Sequence, residues 1–486
     1  MGLIILENVK TDGTLVCLLE PEITQVGALY IKTVAIILFF CSIYYFMDSL
    51  TKMKKILYTV ILLHSLSTFA SNPTPTNYSR DLSHIPAKSE VNKNIDFFHI
   101  NGSVIAYSSP SSKVFLGSPS IIILPDGTYI ACHDIFGKNW KEKNGTSVMI
   151  YQSKDKGKTW QWLSRVNGQN WNFLWYHNNA IYLIGCLFPE NGFAVRKSID
   201  GGKTWTIPDD DKSGLILKTE QRIISTPTPV AIVNDRIYVH MEQPNKKAKM
   251  WAHQHSFVMS APINSDLLNS ENWTKSTSVI IPDQMVTLAH GGWLEGNVVH
   301  RRSDNKIFNI LRVHGITDEC AAFYEISHDG KKAKLNTRNM FIRLPGSCKK
   351  FYIVYDEKTE KYFALSNYVL ERDRGEVKNC PHPIKAERTR NTLALLESSN
   401  LMDWKVKSII ITHPDIEHCG FQYPSAMIDG NDLIAVVRTA YYANGEKADS
   451  QHNSNMITFH RIEKFRDRNL TTKPLMGEIP FDTERK

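Results

Sequence analysis

A short polar turn followed by an apolar or alternating run recurs six times along the chain. The copies start at Pro125-Asp126-Gly127, Asn178-Asn179, Asn234-Asp235, Asp304-Asn305, Thr359-Glu360 and Asp429-Gly430-Asn431, at intervals of roughly 50 to 70 residues. Asn, Asp and Gly supply the positive φ of a tight hairpin, and the runs behind them, such as Ala180-Ile181-Tyr182-Leu183 and Arg236-Ile237-Tyr238-Val239, are strand-like. A repeat of that length holds about four strands, the size of one propeller blade. The pattern predicts an all-β chain folded as a β-propeller. Its terminal runs, Phe97 to Ser108 and Asn455 to Phe465, can pair and close the ring, leaving no open sheet edge. Six units plus a composite closing blade make seven blades, with six as the alternative.

A second pattern lies further along two of the repeats. Ser153-Lys154-Asp155-Lys156-Gly157-Lys158-Thr159-Trp160 and Ser198-Ile199-Asp200-Gly201-Gly202-Lys203-Thr204-Trp205 share the form Ser-x-Asp-x-Gly-x-Thr-Trp, the Asp-box. Ser and Asp oxygens are expected to accept hydrogen bonds from turn amides, Gly to supply positive φ, and Trp to anchor the turn beneath neighbouring strands. Eroded versions stand at Ser265 to Trp273, Ser327-His328-Asp329-Gly330 and Ser398 to Trp404. The box is a structural device and performs no catalysis.

Composition agrees with a large β-rich body: 486 residues, 42% hydrophobic and 10% aromatic, with 26 Gly and 21 Pro for turns. The net charge of +8 is spread out, and its basic clusters (Lys246-Lys247, Arg301-Arg302, Lys349-Lys350) are short, which suits solvated faces rather than nucleic acid. Before the body, Met53-Lys54-Lys55, the apolar run Ile56 to Leu66 and Thr68-Phe69-Ala70 read as a signal peptide over 53–70. Residues 1–52, with the apolar run Ala35 to Met47, read as an upstream extension or membrane segment. Residues 71–96 read as a linker, 97–470 as the propeller and 471–486 as a tail. Export to the periplasm or surface of a bacterium is the expected fate. Of eight cysteines, Cys17 and Cys41 lie in the head; Cys132, Cys186, Cys320, Cys348, Cys380 and Cys419 form no CxxC pair, and several are expected to be buried small hydrophobes.

Propellers bind ligands where loops meet the central channel, so polar residues at strand ends are the first candidates. His133 ends the run Thr128 to Cys132 and is either a general acid/base or a turn histidine held by a neighbour. Arg312 and Arg438 end the runs from Ile307 and Leu433, where a guanidinium suits either a carboxylate or an inter-blade ion pair; Arg196 precedes the second Asp-box. Asn297 and Gln422-Tyr423 sit in loop-like stretches with sugar-binding chemistry. His290, His314, His418 and His452 are scattered without metal-ligand spacing, so neither metal nor other cofactor is expected.

The Asp-boxes resemble those of the exo-sialidases, a family with an arginine triad for the sialic-acid carboxylate and a Tyr-Glu nucleophilic pair. The stretch matching that family's first arginine is Phe115-Leu116-Gly117-Ser118-Pro119-Ser120, without arginine, and no Tyr-Glu pair can be assigned from sequence. A second resemblance runs from about residue 114 to 466 through Gly117-Ser118-Pro119-Ser120, His133-Asp134-Ile135-Phe136-Gly137, Leu294-Glu295-Gly296-Asn297, Lys349-Lys350-Phe351, Arg390-Asn391-Thr392, Gly420-Phe421-Gln422-Tyr423, Arg438-Thr439-Ala440-Tyr441 and Thr458-Phe459-His460-Arg461-Ile462. These are similar to seven-bladed propellers that cleave terminal L-rhamnose α-1,4-linked to D-glucuronate, described as lyases or as α-L-rhamnosidases. That resemblance implies His133 as the single catalytic acid/base. Arginine beside the uronate would favour loss of the C5 proton; position and chemistry nominate Arg312 and Arg438, with Asn297, Gln422, Tyr423 and Arg196 as further contacts. The expected partner is an arabinogalactan-type glycan, bound by a monomer. A hydrolase of the same linkage, an exo-sialidase and a non-catalytic glycan-binding propeller are the alternatives.

Overall fold

The computed structural model describes residues 100–137, 139–140, 146–245, 254–282, 292–314, 319–374, 386–443 and 445–477. The expected extension, signal peptide and linker, together with Lys246-Lys247, His290 and Cys380, lie outside the described residues. Strand β1 (Ser103–Tyr107) comes first and belongs to the last sheet. The first sheet is β2 (Phe115–Ile123), β3 (Tyr129–Phe136), β4 (Ser147–Ser153) and β5 (Gln161–Asn167). The second is β6 (Gln169–His177), β7 (Ala180–Leu187), β8 (Gly192–Ser198) and β9 (Leu215–Lys218). The third is β10 (Ala231–Val233), β11 (Arg236–Pro244), β12 (Gln254–Pro262) and β13 (Thr274–Lys275). The fourth is β14 (Trp293–Arg301), β15 (Lys306–Val313), β16 (Cys320–Ile326) and β17 (Ala333–Lys334), with β18 (Phe341–Arg343) also on β16. The fifth is β19 (Tyr352–Asp356), β20 (Lys361–Ser366), β21 (Thr392–Ser398) and β22 (Lys405–Thr412). The sixth is β23 (Gly420–Asp429), β24 (Asp432–Ala440), β25 (Met456–Ile462) and β1.

Every repeated polar turn joins the first two strands of its sheet, and Asn178, Asn179, Asn234, Asp235, Asn305 and Glu360 take positive φ there, as hairpin geometry demands. The propeller has six blades, against the count of seven. The closing blade is itself the sixth unit, built on the Asp429-Gly430-Asn431 turn, so adding it to six units counted it twice. β1 pairs antiparallel with β25, Ser103 opposite Phe459 and Tyr107 opposite Met456, which is the expected closure. Six apolar clusters fill the wedges between blades; one unites Ile105, Leu116 and Trp160 with Val436 and Phe459 across the seam between the sixth and first blades. Cys132 and Cys186 are buried within such wedges.

Both Asp-boxes join the third and fourth strands of their blades and share one hydrogen-bond pattern. Ser153 Oγ donates to Asp155 Oδ1 at 2.8 Å and accepts from Gly157 N at 2.8 Å, while Asp155 accepts from Thr159 N and Oγ1 at 2.9 and 2.6 Å. Ser198, Asp200, Gly202 and Thr204 repeat this. Trp205 Nε1 reaches Ser164 on β5 of the preceding blade at 3.2 Å, and Trp160 Nε1 reaches Ser103 on β1 at 3.0 Å. Ser103 therefore does for the ring closure what Ser164 does between ordinary neighbours.

Candidate active site

The antiparallel connections put the polar turns and Asp-boxes at one end of the strands and the starts of the inner strands at the other. At that second end, four inner strands carry the same irregularity. Pairing slips between Gly117 and Ser120 in β2, Asn170 and Phe173 in β6, Leu294 and Asn297 in β14, and Gln422 and Ser425 in β23. The second residue of each bulge, Ser118, Trp171, Glu295 or Tyr423, takes a φ between 49° and 58°. None is glycine, so each conformation costs about 1–3 kcal/mol, and bulges of this kind re-aim a side chain. Local bonds compensate: Glu295 N donates to Glu242 Oε2 at 2.9 Å, and Trp171 N donates to Asp134 Oδ2 at 2.5 Å.

Glu295 and Tyr423 meet: the Tyr423 hydroxyl donates to Glu295 Oε1 at 2.7 Å. The other carboxylate oxygen accepts from Arg312 Nη1 at 2.7 Å, and Arg312 Nε donates to Cys348 O at 2.8 Å. Burial opposes ionisation of Glu295, but the Arg312 charge and hydrogen bond, the Tyr423 hydroxyl and nearby Arg390 outweigh it and hold its pKa below the ordinary value. Two more guanidinium groups flank Tyr423. Arg438 Cζ lies 5.0 Å from the Tyr423 ring and 4.5 Å from Phe136; its Nε donates to Ser454 Oγ at 3.1 Å and its Nη2 to His452 O at 2.5 Å. Arg390 Cζ lies 5.9 Å from the same ring, and Nη1 donates to Gln422 Oε1 at 2.5 Å. A Cβ at Gly117, in the stretch that lacks arginine, would stand 3.6 Å from Arg438 Nη1, so the guanidinium of the sixth blade reaches the first blade there.

The cluster is short of negative charge. Arg312, Arg390, Arg438 and Lys350 are buried beside Glu295. Burial pushes the Arg438 pKa down to about 10 and lowers that of Arg390, with Arg390 and Arg438, and Arg312 and Arg390, repelling one another. Burial also brings the Lys350 amine down to about 7, partly offset by Glu295. Burial opposes ionisation of the two other nearby carboxyls: it raises Glu242, hydrogen-bonded to His240 at 3.1 Å, and raises Asp134 to about 7 against its bonds from Trp171 and Asn172. Beyond the bulges the channel turns apolar, with a cavity of about 470 Å³ lined by Ile121, Leu174, Val230, Val298, Val354 and Met427 among others.

The structure brings Arg312, Arg438, Gln422 and Tyr423 together. Gln422 touches Arg390 and the carbonyls of Gln451 and His452, so it orients a guanidinium. Asn297 is fully buried and bridges blades, donating to Phe351 O and accepting from Ile353 N. Arg196 bonds to Gln169 Oε1 and Asn167 O, tying the second blade to the edge of the first. His133 lies in mid-strand with 0% exposure, Nδ1 against Asp134 O at 2.9 Å and its ring stacked on Tyr151 at 5.6 Å. Its Nε2 has no hydrogen-bond partner among the described residues, and burial lowers its pKa to about 4. Glu295, Arg390 and Asp134 join these residues without having been nominated by sequence position. Ser118-Pro119-Ser120, Glu295-Gly296-Asn297 and Tyr423-Pro424-Ser425 are the legible signal, a shared bulge pattern of any residue, Pro or Gly, then Ser or Asn.

These features define a six-bladed β-propeller with two Asp-boxes and a Glu-Tyr pair inside an arginine cluster at one mouth of its channel. No family model matches the chain, and no curated protein matches it. Solved structures do resemble it in fold. An α-L-arabinanase of Penicillium chrysogenum in complex with arabinobiose is 14% identical, with a TM-score of 0.45 over 74% of this chain and 96% of the other. A GH93 α-L-arabinofuranosidase of Fusarium graminearum, also with arabinobiose, is 15% identical, with a TM-score of 0.45 over 74% and 95%. The sialidase of Trypanosoma rangeli with sialic acid is 12% identical, with a TM-score of 0.42 over 81% and 59%.

Proposed function

We propose that the chain is a glycan-cleaving enzyme that removes a terminal acidic sugar, with Tyr423 as nucleophile, Glu295 as its base and the carboxylate of the substrate held by Arg390 and Arg438. The observation that carries this reading is the surplus of buried positive charge around Tyr423, which a bound carboxylate would neutralise. A sugar with its carboxylate next to the anomeric carbon repels an anionic nucleophile, whereas a phenol attacks as a neutral group and loses its proton to Glu295, 2.7 Å away, as the bond forms. Arg312 keeps Glu295 ionised for that task. The leaving oxygen takes a proton from an acid, and Asp134, raised to about 7, is the carboxyl suited to it. Water, giving a proton to Asp134, then attacks the anomeric carbon of the tyrosyl glycoside intermediate, and the departing phenolate takes its proton back from Glu295. Exo-sialidase activity is the leading assignment.

A second reading is cleavage of rhamnosyl-α-1,4-glucuronate with His133 as acid/base, by elimination or hydrolysis. The neutral imidazole with an unpartnered Nε2 favours it. Both readings use arginine for a carboxylate, and two variants part them. Tyr423→Phe should abolish release of sialic acid from a fluorogenic sialoside and His133→Gln should leave it intact; full activity of Tyr423→Phe, or no turnover by the wild type, refutes the first reading. Rhamnose released with a new ultraviolet absorbance from an unsaturated uronate, lost in His133→Gln, would establish the second.

A further inference from the structure

Among the four re-aimed residues, Trp171 alone meets the active-site cluster through its backbone, by its N–H to the Asp134 carboxyl, and not through its side chain. Its backbone is fixed at both ends, N–H to Asp134 at 2.5 Å and C=O accepting from Ser225 Oγ at 2.7 Å, while its half-buried indole packs on the edge of the apolar cluster between the second and third blades. Arg222, on the segment leading from β9 to the third blade, lies over it with Cζ 4.2 Å from the ring centroid and 5.6 Å from that of Phe188. The guanidinium makes no hydrogen bond or ion pair among the described residues, and its Nε is buried without a partner. Burial lowers its pKa, the sign of a cation lacking an anion. A guanidinium held flat on an aromatic ring uses its face and leaves its N–H groups at the edge, in the fork that matches a carboxylate or sulfate.

We propose that Arg222, positioned by Trp171, is a second anion-binding point that receives a carboxylate or sulfate on the sugar next to the one held by Arg390 and Arg438. This inference rests on the reading of that cluster as the site for a terminal acidic sugar. The two points are linked through Asp134, which takes the Trp171 amide and lies opposite Gly117, the residue against Arg438. The site is thus selective for a glycan bearing two successive acidic sugars. Trp171 and Arg222 touch no reacting atom; their part is to position the neighbouring sugar.

The test is calorimetric binding of α-2,8-linked disialic acid and of sialic acid to the Tyr423→Phe protein, which prevents turnover, alone and combined with Arg222→Ala, Arg222→Lys or Arg390→Ala. Loss of a charge-assisted bidentate contact predicts ~10-fold weaker disialic acid binding with Arg222→Ala, partial loss with Arg222→Lys, and unchanged binding of the monosaccharide with either. Unchanged melting of the variants shows that the fold is intact. Equal disialic acid affinity with and without Arg222→Ala overturns the proposal. Monosaccharide binding that is absent, or that survives Arg390→Ala, overturns the reading of the primary cluster instead, so the two failures are seen separately.

Discussion

Tyr423 on the sixth blade and Glu295 on the fourth share a 2.7 Å hydrogen bond across the channel mouth, each from the same kind of bulge with positive φ. Two residues separated by 128 positions become a chemical pair because the ring brings inner strands around one axis. The pair also carries a stability load, since Glu295 is the ionised partner of buried Arg312.

Substitution of Glu295 therefore touches chemistry and folding together. Glu295→Gln keeps the shape but removes the base, and should lower turnover of an acidic glycoside by about 100-fold or more. Glu295→Ala also removes the carboxylate that pairs with buried Arg312 and should cost about 3–5 kcal/mol of unfolding free energy. Urea denaturation beside kinetics checks both; an equally stable Glu295→Ala would mean that Arg312 finds another partner.

Arg438→Lys should raise KM for acidic substrates by about 10-fold while leaving a neutral glycoside at its basal rate. A lysine keeps the charge but cannot lie between Phe136 and Tyr423 and also donate to Ser454 and the His452 carbonyl. Steady-state kinetics on paired acidic and neutral substrates decides it.

His133 and Asp134 are neighbours with opposite pH dependences. Asp134 rises from 3.8 to about 7 on folding, so its protonated form stabilises the fold at low pH and that contribution fades as pH rises from about 4 to 7. His133 falls from 6.5 to about 4, so its contribution is full above about 6.5 and is lost as pH falls towards 4. Between about 4 and 6.5 the two slopes oppose each other, each approaching ~1.4 kcal/mol per pH unit at most. Denaturant titrations should show a stability that falls with pH in His133→Gln and rises with pH in Asp134→Asn over that window. Parallel curves for the two variants would contradict the assignment.

The Asp-box tryptophans should couple blades. Trp205 Nε1 donates to Ser164 Oγ, which donates to Gly202 O. A double-mutant cycle with Trp205→Phe and Ser164→Ala should give a coupling of about 1 kcal/mol, measured by equilibrium unfolding; additive effects would show that the tryptophan acts by packing alone.

The hairpins, the boxes and the closing pair Ser103–Tyr107 with Met456–Ile462 were all readable from sequence, because each depends on a few adjacent residues with strong φ or hydrogen-bonding preferences. The blade count was not, since one set of residues can be read both as a unit and as the closure. The site was half readable. Arg312, Arg438 and Tyr423 stood out by type and place, but Glu295 gains its meaning only from Tyr423 and Arg312, and the reach of Arg438 to Gly117 in the first blade has no mark in either segment. Contacts between blades leave no local trace, so a residue that works through a distant partner, as Arg390 does through Gln422, looks ordinary in its own segment.

The pairing of β1 with β25 joins segments more than 340 residues apart, Ser103 with Phe459. Until the last strands are made, the sixth sheet has no complete edge and the first wedge no far wall, so a chain emerging N-terminus first holds β1 unsatisfied through most of its synthesis. Such a long-range last step makes for slow, all-or-none ring closure. It also means that the mouth is completed late: Tyr423 and Arg438 both lie on the closing sheet, so the Glu-Tyr-Arg cluster is whole only once that sheet has docked against the fourth and fifth blades' contributions.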